Sequence, residues 1–217
     1  MIISHKYKLI FIHIPKAAGT FMTKLLENLD KNSINCDNHT SAKNAKKKFP
    51  ELWDSYTKIC IIRNSWDREM SFMFYMKSYR SHHEHHIVEN MNVTEYLEWR
   101  KTRVDHQVDY ILDDNGDCLV DYILSFEDLN TNIKNFFRGA YNIDVSPHLP
   151  PKKREVSIRE PNYRRYYNDH NRRMLHEMHL PDIKHFEFVF GWDILNNRLE
   201  RPPQEYPDNE TRLLKIP

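Results

Sequence analysis

The sequence predicts an α/β protein, a single domain in which a central parallel sheet is flanked by helices. Three observations predict it. Short apolar runs recur at Lys8–Ile14, Lys58–Arg63 and Cys118–Phe126, a polar turn follows each, and apolar residues at helical spacing follow each turn. Strands alternating with helices in this way form parallel sheets covered by their crossover helices.

The first run, "KLIFIHI", is rich in isoleucine and fits a strand buried on both faces. From Thr20, placed to cap, Phe21, Met22, Leu25, Leu26 and Leu29 recur at the spacing of one helix face. The second run, "KICIIR", leads through Asn64 or Ser65 into "NSWDREMSFMFYMKSY", a helix with its apolar residues packed inward. Met91 to Asp113 reads mostly as helix, with Tyr96, Leu97 and Trp99 in the core. The third run follows the turn "DDNGD" and passes through Glu127 and Asp128 into a helix bearing Leu129, Ile133, Phe136 and Phe137. A basic loop, Pro150 to Pro161, precedes a helical stretch around Tyr163 to Met178.

A chain of 217 residues, 40% of them hydrophobic, is long enough for one substantial core. We expect one domain over 1–217, with its core at about 6–192 and a tail rich in proline and charge at 193–217. The net charge of +1 gives no ground for a nucleic-acid partner, because such domains are strongly basic. Cys36, Cys60 and Cys118 are an odd set without C-x-x-C spacing, which fits neither a disulfide framework nor a zinc knuckle. No signal peptide or membrane span is evident, so a cytoplasmic location is expected.

The loop between the first strand and helix, "PKAAGT", has the composition of an anion cradle. A helix N-terminus presents backbone N–H groups and the positive end of the helix dipole. Gly19 allows close approach, Thr20 adds a hydroxyl and Lys16 adds a mobile charge. The loop is not G-x-x-x-x-G-K-[ST], because the lysine precedes the glycine. It resembles instead the 5′-phosphosulfate loop of sulfotransferases, particularly the carbohydrate-type family, whose loop is close to H-I-P-K-T-A-G-T; Ala17 stands where threonine is usual. A second segment, "IIRNSWDREMSFMFY", resembles the 3′-phosphate element of that family, approximately V-R-N-P-W-D-R-x-x-S-x-Y. Arg63 and Ser71 match it, and Ser65 stands where proline is frequent. Looser similarity extends through "HTSAKNAKKKFPELWDSYTKI", "DYILSFEDL" (with Ser125 where arginine is frequent) and "KKREVSIREPNYRRYY", the last resembling the segment that closes over the nucleotide.

This resemblance implies a P-loop-like sulfotransferase fold and transfer of a sulfuryl group from 3′-phosphoadenosine-5′-phosphosulfate (PAPS) to a hydroxylated acceptor, a glycan or glycolipid, leaving 3′-phosphoadenosine-5′-phosphate (PAP). It implies that Pro15, Lys16, Ala17, Ala18, Gly19, Thr20 and Phe21 hold the 5′ end, and Arg63 and Ser71 the 3′-phosphate. Arg154 and Ser157 lie in the closing segment. Lys16 is then the group that stabilises charge on the leaving oxygen. His39, in "DNHTSA", falls where the family places a histidine suited to take the acceptor proton.

No metal is required by this scheme. "HHEHH", His82 to His86, reads as a solvated loop, since adjacent side chains seldom converge on one ion. "HEMH", His176 to His179, lacks H-E-x-x-H spacing and reads as the exposed face of a helix. Lys152, Lys153, Arg154 and Arg159 read equally as a solvated turn or a phosphate contact. The four tryptophans read as packing residues. A nucleotide-dependent kinase of related fold and a nucleotide-binding module without turnover are the alternatives; no Walker lysine or magnesium-binding pair is evident for the first, and the second would not need both Lys16 and His39. Acceptor and oligomeric state are not encoded in these motifs.

Overall fold

The computed structural model describes residues 1–37, 39–151 and 159–190, and the backbone of 214–215. In chain order the elements are β1 (Ile2–Ser4), β2 (Leu9–Ile12), α1 (Gly19–Leu29), β3 (Ile34–Asn35), α2 (Ala42–Lys48), α3 (Pro50–Trp53), β4 (Thr57–Ile62), α4 (Ser65–Ser78), α5 (His85–Val88), α6 (Val93–Arg100), β5 (Tyr122–Ser125), α7 (Leu129–Tyr141), α8 (Asp169–Met178), α9 (Leu180–Phe186) and β6 (Leu214–Lys215). The chain falls into two compact units: Met1–Ile62 with Gln107–Pro151 and Asp193–Pro217, and Arg63–His106 with Lys152–Trp192.

The first unit is built on a sheet of order β3-β1-β2-β4-β5-β6. Its centre is parallel as expected: Ile12 pairs with Cys60 across β2 and β4, and Cys60 with Ile123 across β4 and β5. Leu9, Ile10, Phe11 and Ile12 are fully buried, as a parallel strand covered on both faces requires. On α1, Met22, Leu25 and Leu26 form the buried stripe, and each contributes roughly 1.5–3 kcal/mol by leaving water. The helix ends at Asp30, whose carboxylate accepts from the hydroxyl of Ser4 at 2.6 Å and ties the helix end back to β1. Ile133, Phe136 and Phe137 are the buried face of α7, which stops at Asn142 in the left-handed conformation.

The second unit is helical and has its own core, including Trp66, Met70, Met73, Tyr96, Leu97 and Leu175. Helix α4 enters through Asn64, whose side chain accepts from the N–H of Trp66. Its burial goes beyond an apolar face: Asp67, Arg68, Glu69 and Ser71 are buried too. Charges inside a core must be paired, and these are. Asp67 meets Arg63 and Arg159, Arg68 meets Asp105, and Glu69 meets Arg100.

Several expectations need correction. The sheet is mixed, because β1, β3 and β6 pair antiparallel to their neighbours. The strand expected over Cys118–Phe126 is only Tyr122–Ser125; Cys118 instead bridges Leu112 across the "DDNGD" turn. Thr20 does not cap α1, since the helix begins one residue earlier and its N-cap is Ala18, with no side-chain cap. Between Met91 and Asp113 the helix spans only Val93–Arg100, followed by a short 3-10 turn at Val108–Tyr110; Trp99 is half-buried. "HEMH" is not uniformly exposed: His176 faces water, but His179 is completely buried.

Candidate active site

The loop after β2 folds tightly. Ala17 and Gly19 are buried, Thr20 is exposed, and Lys16 and Ala18 adopt left-handed backbone, with φ of 61° and 60°. Left-handed residues in a turn are the means by which successive N–H groups form an anion nest. The ladder of α1 starts with Met22 N–H donating to the carbonyl of Ala18 at 3.0 Å. The N–H groups of Gly19, Thr20 and Phe21 therefore precede it at the positive end of the helix. No acidic residue occupies the first turn.

Gly19 has a reason that differs from the expected one. A Cβ built there would stand 1.6 Å from Nε2 of His13, so the imidazole of His13 occupies the space a side chain would need. The ring of His13, the residue after β2, lies tilted against that of His39 with centroids 4.5 Å apart. Its Nδ1 is buried without a hydrogen-bond partner among the described residues. Burial first, and then the nearby His39 and amino terminus, push its pKa down to about 3, so it is neutral near pH 7.

His39 is exposed and has φ 64°, and its Nδ1 lies 3.2 Å from the carbonyl oxygen of His13. A carbonyl oxygen only accepts, so Nδ1 carries the hydrogen. The basic lone pair of a neutral His39 is then on Nε2.

Arg63 follows β4 directly and is buried. Its Nε donates to Oδ2 of Asp67 at 2.7 Å, and Nη2 of Arg159 lies 2.8 Å from Oδ1 of the same carboxylate. Burial raises the Asp67 pKa, but the two guanidinium groups outweigh it and hold the carboxyl below its usual range. Ser71 lies one turn after Asp67, on the same face of α4. Ser71 Oγ and Arg159 Nη1 are both buried without a hydrogen-bond partner among the described residues. Two cations, one carboxylate and two unsatisfied donors fit an oxyanion such as a phosphate. Arg154 and Ser157 lie outside the described residues, as do Lys152 and Lys153.

Sequence reasoning missed His13 and Asp67. The histidine is quoted within the loop motif but reads as strand, and only the position of Gly19 hints that something crowds it. The aspartate is read as a helix residue, although its spacing of four from Arg63 on a buried helix start is a signal for a pair.

The Sulfotransferase family model matches residues 1–195. The chain therefore belongs to the sulfotransferase family, transferases that use PAPS as sulfuryl donor. Searches of curated proteins and of solved structures returned no match. No helix among the described residues is long and apolar enough to cross a membrane.

Proposed function

We propose that this sulfotransferase moves the sulfuryl group of PAPS to a hydroxyl of a glycan or glycolipid, using Lys16 and His39. PAPS supplies the activated sulfuryl group and a stable bisphosphate leaving group. The loop from Pro15 to Phe21 takes the 5′ end through its backbone N–H groups. Arg63, Ser71 and Arg159 take the 3′-phosphate.

In this reading the acceptor hydroxyl gives its proton to Nε2 of His39, the nitrogen left basic by the Nδ1 bond to His13. His13 stays neutral beside it, so the pair carries no charge of its own that would repel the new imidazolium. Lys16 meets the negative charge that develops on the leaving oxygen, the position where a fixed cation does most for the rate. The single observation that most supports the reading is the buried Arg63–Asp67–Arg159 group, with Ser71 Oγ unsatisfied on the same helix face. The resemblance to carbohydrate-type members supports a sugar hydroxyl as acceptor.

The test is transfer of labelled sulfate from PAPS to a panel of glycans and glycolipids by the purified chain. Labelled sugar is the expected product. Label found only on phenols, amines or protein tyrosine would overturn the acceptor class.

A further inference from the structure

The second unit contains a group of side chains that PAPS chemistry leaves unused. His106, His179 and Asp182 each offer one ligand atom, a ring nitrogen or a carboxylate oxygen, and the three atoms lie within 4.8 Å of one another. His179 and Asp182 are fully buried. The residues come from separate segments: His106 from the stretch after α6, His179 from the junction of α8 and α9, and Asp182 from the first turn of α9.

We propose that His106, His179 and Asp182 form a binding site for a divalent transition-metal ion, with zinc the best match, that fastens the helices of this unit together.

Nε2 of His179 lies 3.0 Å from Oε2 of Glu69, and a carboxylate only accepts, so Nε2 carries the hydrogen. In the neutral imidazole the lone pair is then on Nδ1, 3.6 Å from Oδ2 of Asp182. Two acceptors thus face each other in a buried space, which is unfavourable unless something positive lies between them. His106 belongs to the same group, and its Nδ1 is buried without a hydrogen-bond partner among the described residues. A proton on His179 answers Asp182 but leaves Nδ1 of His106 unanswered. One metal ion can take a lone pair from each of the three side chains.

The surroundings have the character of a second shell. A ligating histidine normally donates its other N–H to a carboxylate, and Glu69 is that carboxylate for His179. Glu69 is itself fixed, since Oε1 accepts from the hydroxyl of Tyr96 at 2.5 Å and from Nε of Arg100 at 2.9 Å. The residue preceding His106 is pinned as well: Asp105 bonds Arg68 at 2.8 Å and Arg100 at 2.5 Å. Two imidazoles and one carboxylate are a set that zinc accepts. Ligand atoms at about 2.0–2.1 Å from a tetrahedral zinc ion are roughly 3.3 Å apart, close to the His179–Asp182 separation. His106, only half-buried, has room to close the remainder.

The test uses the full chain, stripped with a chelator and dialysed, then titrated with Zn2+ alone and with Co2+ as a spectroscopic stand-in. We expect one Zn2+ bound per chain, a Co2+ absorption of nitrogen and oxygen ligation, and a rise in Tm with either ion. His106→Ala tests the site without disturbing the buried Glu69 network, and His83→Ala controls for the surface group His82, His83 and Glu84. His106→Ala should weaken zinc binding by at least about tenfold and abolish the Tm rise, because loss of a ligand costs no less than loss of a second-shell partner. Asp182→Asn should act in the same direction. His83→Ala should change nothing. The proposal is overturned if Zn2+ does not bind the wild-type chain stoichiometrically, if His106→Ala binds it as tightly as wild type, or if His83→Ala alone removes binding. None of these readouts depends on sulfuryl transfer.

Discussion

The ring of His13 lies where a side chain on Gly19 would begin: a Cβ there would fall 1.6 Å from Nε2 and 1.8 Å from Cδ2 of the imidazole. Gly19 thus leaves room for the imidazole of the residue that follows β2. Gly19→Ala should displace His13 and cost roughly 1–3 kcal/mol, the range for overpacking a filled site. In a His13→Ala background the same change should cost much less. Urea unfolding of the four proteins of this cycle measures the coupling. Equal costs in both backgrounds would show that the two residues do not compete for space.

The depressed pKa of His13 makes stability depend on acid. The unfolded chain takes up this proton as pH falls through about 6.5, while the folded chain resists it until about 3. The unfolded state thus holds more protons between these values, and stability falls as pH falls through that window, by up to about 1.4 kcal/mol per pH unit. Above pH 6.5 His13 contributes no slope. Unfolding free energies of wild type and His13→Gln, compared from pH 7 to 4, should diverge in this direction. Parallel profiles would show that His13 titrates normally.

Asp67 holds two buried cations, so Asp67→Asn should destabilise the nucleotide-free protein by roughly 3–5 kcal/mol, the cost of stranding buried charge. If the proposed 3′-phosphate site is right, that phosphate brings negative charge to the same guanidinium groups. PAP should therefore raise the Tm of Asp67→Asn by more than it raises that of wild type, and ADP should not. An equal rise from both nucleotides would separate this carboxylate from the 3′-phosphate site.

The parts of this account legible in the sequence are those where neighbours in the chain are also neighbours in space. The β2–α1 and β4–α4 transitions carry their strand, turn and helix signals within about twenty residues each. β1 and β3 were not legible because strands of three and two residues are too short to show alternation. Arg159 was ambiguous, since its partner Asp67 is supplied by a distant helix. The burial of His179 is not legible for the same reason: it follows a polar helix, and Glu69 and Asp182 close around it only in the folded unit. Burial of α4 on several sides also defeats a reading based on one apolar stripe.

Lys16→Ala should lower turnover far more than PAPS affinity, because its charge is most needed as the leaving oxygen becomes negative. Single-turnover kinetics and equilibrium binding on the same variant separate the two. An affinity loss as large as the rate loss would make Lys16 an ordinary binding residue.

His39→Ala should lose roughly 10²–10⁴-fold in rate and keep nucleotide binding. Its acidic rate limb should vanish, since the limb reports imidazolium that cannot accept a proton. His39→Asn should not restore the rate. Survival of the limb in His39→Ala would assign the base to another residue.

In the proposed function, the loop from Pro15 to Phe21 and the Arg63–Ser71 segment favour a bisphosphorylated adenosine nucleotide over an ordinary diphosphate. Calorimetric titration of the wild-type chain with PAP and with ADP tests it without any acceptor. PAP should bind at least about tenfold more tightly, a difference of about 1.4 kcal/mol, and Arg63→Ala should remove the preference. Binding of ADP as tight as that of PAP, or tighter, would contradict it.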